Sequence, residues 1–588
     1  MDYMKRNKYI YGVMAAGLLL AASCTDFDDY NKAYTGAEPG STQTLWDNIS
    51  QRGNLSQFAS LLQKGGYDTE LQNSRFYTVW APEDGTFNYD SVNALGKDAL
   101  VKKFINSHVA NFNYTQSLNQ FVERVHTLNE KSFTFAAQGG QLTFDDKQVL
   151  QRNIPNLNGV LHTIGGAAQF LPNIYEFALD SVEAKVAGFD SIMWFYKGYE
   201  TTKLDLEKSI EGPVDDEGNQ TYSDSVMVTT NQLTGRGYMN ADLACEDSAY
   251  TILLPTNEAY TKAYNAISKN FKYVSTINYW TFPEKNDIAP VKAKKDVDLL
   301  QQDTTMTRTY IYRNTIFNNN YWRNRWLVNP ADPYAAITND TLYSTRNAFI
   351  SNGTEVVLNH TVGSAVKMSN GYARIVDSLA FHPWEVWNPV LNVSIGSSTY
   401  RARVNAANAR MQTINYDALD QSKGLDLYSY LDLIPSSDNS QPEAYFYING
   451  VRSTTYNVYV VMVPANIRLG SKDVAKSYKF QVSMNFADAK GNMPEIAKPS
   501  VNFGTFTSDS TKLDTIMVGS VTFPVAYAGV DGAYPFIMLK SQRSTWNKKE
   551  WDTIDNRMRI AAIYLVPDEY DKYLKEQEAQ NEPEKTEE

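Results

Sequence analysis

Five histidines, at positions 108, 126, 162, 360 and 382, are the chain's only imidazoles, and no two stand four residues apart. The helical two-histidine zinc spacing is therefore missing. With only Cys24 and Cys245, a paired CxxC metal clamp cannot be built either. A phosphate-cradling GxxxxGK(S/T), a GxGxxG strand–helix turn and a GxSxG nucleophile elbow are all absent. The 66 carboxylates are too many for spacing alone to single out a glycosidase-like pair. Cys245 sits in ADLACEDSAY, which carries no catalytic signature and reads as an inert thiol. These residues nominate no catalytic site, no metal and no cofactor, and the chain is expected to be non-enzymatic.

The ends of the chain say more. Lys5, Arg6 and Lys8 precede an uncharged stretch, Tyr9–Ala22, of fourteen residues. A spanning helix needs roughly 20. A basic start, a short apolar run and small residues describe a signal peptide over residues 1–23. Ala21-Ala22-Ser23-Cys24 resembles a bacterial lipobox, departing from it at Ala21, where leucine is usual. The resemblance implies that Cys24 carries lipid and becomes the new N-terminus. Asp26, Asp28 and Asp29 follow at once, in an acidic linker over 24–41. They resemble the export signal of surface-exposed lipoproteins of Bacteroidetes, which implies a lipid-anchored protein at the cell surface of the outer membrane. With Cys24 lipidated, Cys245 has no intramolecular partner, so stability must come from packed cores. A net charge of −12 and a pI near 5.1 argue against nucleic acid. Residues 568–588 hold nine acidic and three basic residues, and read as an acidic tail that frays or forms a loose helix.

Two stretches of the interior repeat. Arg75–Phe87 reads RFYTVWAPEDGTF and Ala249–Tyr260 reads AYTILLPTNEAY: a strand, a proline, a polar turn, then an aromatic opening a helix. Pro82 and Pro255 end their ladders for want of an N–H, and Asp84 or Thr256 is placed to cap the following helix. Later, Asn158–Gly165 reads NGVLHTIG and Asn370–Asp377 reads NGYARIVD, each an Asn-Gly turn feeding a strand. Upstream, Leu45, Ile49, Leu55, Phe58, Leu61 and Leu62 follow a helical period. With the helix ending in FINSHVA, these elements resemble the fasciclin domain. The resemblance implies two α+β fasciclin-like domains, at 42–168 and, divergent and with insertions, at 171–383. In the second, Asn314 or Thr315 takes the place of His108 and Arg374 that of His162. Because the histidines are replaced there, they read as buried groups satisfied by backbone rather than ligands.

From 389 to 567 short alternating runs, ending in RIAAIYLVP, predict an all-β antiparallel sandwich of jelly-roll type. Aromatic residues beside amides and arginines mark the NYWTF and NNNYWRNRWLVNP stretches and the FHPWEVWNP joint. Trp280, Trp322, Trp326, Trp384 and Trp387 are the candidate contacts to a protein partner or a glycan, with packing within the chain as their alternative. Surface lipoproteins of the kind resembled accompany SusC/SusD-like nutrient-uptake complexes. An interaction or adhesion module serving as an accessory subunit is thus the first functional reading. A glycan- or peptide-binding lipoprotein using the sandwich is the second. Tripeptides of Asp, Ser or Thr, and an apolar residue or Thr begin at ten aspartates, among them Asp90, Asp180 and Asp552, and resemble Bacteroidetes O-glycosylation sites.

Cys24→Ala is expected to release the protein from the membrane fraction without unfolding it, because the anchor precedes every predicted domain. Fractionation with a fatty-acid analogue checks this, and label persisting on the variant refutes the lipid site.

Overall fold

The computed structural model describes residues 42–581 except 117, 208, 235–237, 283–291, 296–298, 300, 329–339, 398, 415–426 and 465–473. Cys24, Asp26, Asp28 and Asp29 lie outside the described residues, as do the signal peptide and residues 582–588. The chain forms two compact units. One holds the chain to Glu176 with the segments Ala244–Ser248 and Lys367–Gly371, and the other holds the rest.

In the first unit the helical period of the sequence becomes two helices. Thr44 and Asp47 form a capping box on Leu45–Gln51, and Ser56–Gly65 ends at Gly66, whose φ of 84° is left-handed. Seven strands follow: β1 (Tyr77–Pro82), β2 (Val109–Asn111), β3 (Phe121–His126), β4 (Ser132–Gln138), β5 (Gln141–Phe144), β6 (Lys147–Asn156) and β7 (Gly159–Ile164). They form one sheet in the order β2-β1-β7-β6-β5-β4-β3. Only β1 and β7 pair in parallel, from Tyr77 opposite Gly159 to Pro82 opposite Ile164. Both strands are buried along their whole length, which is why neither reads as a clean alternation. Period two still sorts their side chains. Tyr77, Val79, Ala81 and Leu161 face the helices, while Trp80 packs with Phe135 and Phe144 in a second core.

Asp84 does not cap the helix that follows it. Its carboxylate accepts from the N–H groups of Ser56 (3.1 Å) and Gln57 (2.9 Å), capping the start of the earlier helix Ser56–Gly65, and Asn88 caps Tyr89–Asn93 instead. The sequence pattern cannot show a cap supplied from 28 residues away. Thr256 does cap its own helix, Asn257–Ile267, accepting from Ala259 N–H at 3.2 Å.

The Asn-Gly pair is more than a turn. Only Gly159 takes positive φ (155°), and a Cβ there would lie 1.9 Å from the Tyr77 carbonyl oxygen. Asn158 serves through its buried amide. Its Oδ1 accepts from Leu45 N–H (2.8 Å), and its Nδ2 donates to the carbonyls of Leu71 and Asn73 (2.7 Å each). Asn370 repeats the device, accepting from Ile174 N–H (2.9 Å) and donating to Cys245 C=O (3.1 Å), next to Gly371 at φ 143°. The outlying segment is also held ionically. Buried Lys131 meets Glu176 at 2.7 Å and Glu246 at 2.6 Å, and Arg124 meets Asp247 at 2.9 Å.

In the second unit the strand Ile316–Asn318 pairs with Tyr250–Pro255. Tyr250 lies opposite Asn318, Thr251 opposite Phe317 and Ile252 opposite Ile316. These are the offsets by which Tyr77, Thr78 and Val79 lie opposite Asn111, Ala110 and Val109. Leu253 N–H donates to Thr315 C=O at 2.9 Å, as Trp80 N–H does to His108 C=O at 2.9 Å, so Thr315 rather than Asn314 stands in the histidine's place.

Beyond this, two six-stranded sheets enclose a single core. Leu431, Val458 and Ile563 from one pack with Phe446, Val482 and Leu539 from the other. Met558–Pro567, containing RIAAIYLVP, lies inside its sheet between Ser429–Ile434 and Thr455–Met462. The sequence pattern separates 171–383 from 389–567, yet Phe177–Leu243, Ala249–Val366 and everything from Tyr372 on belong to one compact unit. Polar bonds cross that division: Arg452 donates to the Trp387 carbonyl (2.9 Å) and the Tyr310 hydroxyl (3.0 Å), and Tyr273 donates to Ala528 C=O (2.6 Å). Of the acidic tail, Asp568–Asn581 form a helix, one of the two forms expected of it. The Asp571 carboxylate pins it by accepting from Asn457 (2.7 Å), Tyr459 (2.9 Å) and Lys575 (2.9 Å).

Asn158→Ala is expected to destabilise the first unit by about 2–3 kcal/mol, because buried donors and acceptors lose their partners. Gly159→Ala should cost more, since its Cβ would collide with backbone. Urea unfolding of both variants measures the order.

Candidate interaction surfaces

His108 and His162 are both hydrogen-bonded to backbone within the first unit. His108 is fully buried, with Nδ1 donating to Phe104 C=O (2.8 Å) and Nε2 accepting from Ala168 N–H (2.9 Å). His162 lies flat on Trp80, its ring centroid 5.7 Å away, with Nε2 donating to Tyr114 C=O at 2.9 Å. Burial holds both imidazoles down at about 4, against an opposing pull from those carbonyls, so both are neutral near pH 7. Among the described residues no group of three or more His, Cys, Asp or Glu is arranged to hold a metal. None of the described helices is long and apolar enough to cross a membrane.

The five candidate tryptophans do not converge. Trp387 is buried, and its indole donates to Asn270 Oδ1 at 3.2 Å. Trp384 is half-buried between His382 (4.7 Å, 8° between planes) and Tyr570 (5.0 Å, 23°), joining the last helix to the 382–388 turn. Trp280 donates to Pro494 C=O at 2.8 Å, and two residues on Phe282 packs against Tyr445 and Phe536, each 5.2 Å away. Trp326 is 8% exposed and donates to Thr341 C=O at 3.1 Å. Trp326 and Trp387 are therefore core groups and cannot reach a partner, while Trp280 and Trp384 fasten parts of the second unit.

Trp322 differs. The turn Trp322–Leu327 is a short 3-10 helix whose periodicity sends alternate parts of the WRNRWL sequence inward and outward. Buried Asn324 pins it. Its Nδ2 donates to the carbonyls of Asn318 (3.0 Å) and Tyr343 (2.9 Å), and its Oδ1 accepts from Tyr343 N–H (2.9 Å). With Asn324 and Trp326 below, Tyr321, Trp322 and Arg323 remain above. Trp322 is 39% exposed, and the Arg323 guanidinium lies 4.3 Å from its ring centroid and 5.5 Å from that of Tyr343. Tyr321 lies 5.4 Å from Tyr343, which lies 5.3 Å from the exposed Phe349. The result is a solvent-facing group of Trp, Tyr, Phe and Arg on a hydrogen-bonded base. Phe349 was not among the sequence candidates because it lies 27 residues beyond Trp322 and follows no motif.

Residues 53–167 match the fasciclin domain family, so the first unit carries a fasciclin domain. Among solved structures, the chain is similar to the FAS1 domain pair of the insect cell adhesion molecule fasciclin I. That likeness has 12% identity and a TM-score of 0.19, and covers 57% of this chain and 99% of the other. A Paenibacillus xanthan lyase is similar at 9% identity and a TM-score of 0.20, over 36% of this chain and 18% of the lyase. The enzymatically active domain of a bacteriophage CBA120 tailspike protein is similar at 10% identity and a TM-score of 0.16, over 34% of this chain and 25% of the other. No curated protein matches the sequence.

Trp326→Ala is expected to cost roughly 3–5 kcal/mol of stability, as buried aromatic truncations do. Trp322→Ala should cost less than about 1 kcal/mol. Thermal unfolding of both variants tests the division, and early melting of Trp322→Ala would return that ring to the core.

Proposed function

We propose that this chain is a non-enzymatic interaction module, lipid-anchored at Cys24 and displayed on the outer-membrane surface by Asp26, Asp28 and Asp29. We infer that its partners are components of a SusC/SusD-like nutrient-uptake complex, which it serves as an accessory subunit. Fasciclin domains are commonly involved in cell adhesion, which fits an interaction role. A second, divergent fasciclin-like domain over 171–383 is supported by the repeated strand offsets and by the matching amides of Asn158 and Asn370. A jelly-roll sandwich over 389–567 is supported by the two sheets around one core. Of the ten Ser or Thr residues that follow the tripeptide aspartates, five (Ser91, Ser181, Ser225, Thr515 and Thr553) are exposed and five half-buried, which supports O-glycosylation at the exposed ones.

The observation that carries the reading is the solvent-facing Tyr321–Trp322–Arg323 group on its pinned turn. Trp, Tyr and Arg dominate binding hot spots because they bring large area at small entropic cost. Here the turn is ordered before any partner arrives, so association loses little further freedom.

The double variant Trp322→Ala/Arg323→Ala is expected to weaken association by on the order of 2 kcal/mol or more while the protein folds normally. Co-purification from solubilised outer membranes measures it. A variant that melts normally and retains the same transporter partners would remove this surface from the interface.

A further inference from the structure

Trp546 is 92% exposed, the most exposed large apolar side chain among the described residues. It does not stand on a loose loop. The Ser544 hydroxyl accepts from the N–H groups of Trp546 (3.3 Å) and Asn547 (3.0 Å), and Asn547 Oδ1 accepts from Lys549 N–H (3.2 Å). The next tryptophan, Trp551, turns inward. Its indole donates to Ser544 C=O (2.7 Å), the Arg543 guanidinium lies 4.6 Å from its ring centroid, and Lys476 donates to its carbonyl (2.7 Å). Lys479 adds an ion pair to Glu550 at 3.1 Å. One indole thus holds the turn down while the other is held out in water.

The charges beside it are also unspent. Lys548 and Lys549 are exposed, and among the described residues no carboxylate lies within ion-pair distance of either. Glu550, the nearest in sequence, is taken by Lys479. The turn therefore offers a flat apolar face flanked by an amide and two free ammonium groups.

Several ligand classes fit poorly. Nucleic acid recognition rests on many phosphate contacts from a broad basic patch or stripe, and this turn has two lysines. Anionic membrane docking uses clusters of roughly 4–8 basic residues or a broad apolar face, and this turn has one ring and two lysines. A stable protein interface buries about 1,200 Å² or more around an apolar centre, whereas Trp546 stands among Ser544, Thr545, Asn547 and lysines. A sugar ring matches better. Its C–H face is about the size of an indole, and its rim carries groups that hydrogen-bond to amide and ammonium. Two unpaired lysines select rims that bear negative charge.

We propose that Trp546, Lys548 and Lys549 form a stacking platform for an acidic polysaccharide, one whose sugar rings carry carboxylate or sulfate groups. The platform is independent of the Trp322 surface, and variants at one leave the other intact.

Binding of the full chain to polygalacturonate and to dextran sulfate, with dextran and phosphatidylglycerol vesicles alongside, tests this. The folded protein should bind one or both acidic polymers, and binding should weaken with added salt. Trp546→Ala should reduce that binding at least tenfold with an unchanged melting temperature. Lys548→Ala/Lys549→Ala should reduce it and flatten the salt dependence. Comparison of the two polymers separates carboxylate from sulfate recognition within the proposal. Failure to bind either acidic polymer, binding that survives Trp546→Ala, equal binding to dextran, or Trp546-dependent binding to the vesicles alone would each overturn it.

Discussion

The parallel pairing of Tyr77–Pro82 with Gly159–Ile164 is the contact on which the fasciclin domain depends. It joins strands about 80 residues apart in sequence, and it closes only because position 159 has no side chain. Any Cβ there would press on the Tyr77 carbonyl, so the two central strands would have to separate. Asn158 converts that close approach into a three-way joint by tying the strand entry to the first helix and to the Leu71–Asn73 segment. Buried amides of this kind are costly when half-satisfied and rigid when fully bonded. The second unit's sheet repeats the strand offsets and Asn370 repeats the joint, although the intervening sequence is longer and the histidines are gone. The joint persists where the histidines do not, which separates what the arrangement requires from what merely fills it.

Aromatic residues then divide into those that hold the chain together and those it exposes. Trp326, Trp384 and Trp387 each have hydrogen-bond or stacking partners within the second unit. Through Trp387, Arg452 and Tyr310 the segment before the two six-stranded sheets is bonded to the segment that carries them. Trp322 and Trp546 are outward members of pairs whose inward members, Trp326 and Trp551, anchor the same short turn. In both places an inward tryptophan and a buried or bonded polar side chain fix the backbone, so the outward ring is presented with little freedom to lose.

Much of this was legible in the sequence. Helical periodicity placed Leu45, Ile49, Phe58, Leu61 and Leu62 in the core, and each is buried. The Asn-Gly strands and the proline-ended strands fell where the repeat put them, because turn chemistry and hydrophobic pattern are local properties. Strands such as Arg401–Asn405, Asn408–Thr413 and Val501–Thr507 went unread because they are polar and lie at sheet edges, where little of the pattern is buried. What anchors the final helix was not readable either. Its order comes from Asp571 meeting Asn457 and Tyr459, partners more than 100 residues away.

By itself, then, the sequence determined the repeated strand–turn–helix units, the β-rich last third and the absence of recognised catalytic motifs. Each rests on short-range pattern or on the presence of residue types. Tertiary structure alone decided which tryptophans face water. Composition cannot separate Trp322 from Trp326, four residues apart, or Trp546 from Trp551, because the direction of a ring depends on what packs beneath its turn. It also decided that Asp84 caps a helix behind it and that Thr315 replaces His108. Both follow from contacts that form only when distant segments of the chain meet.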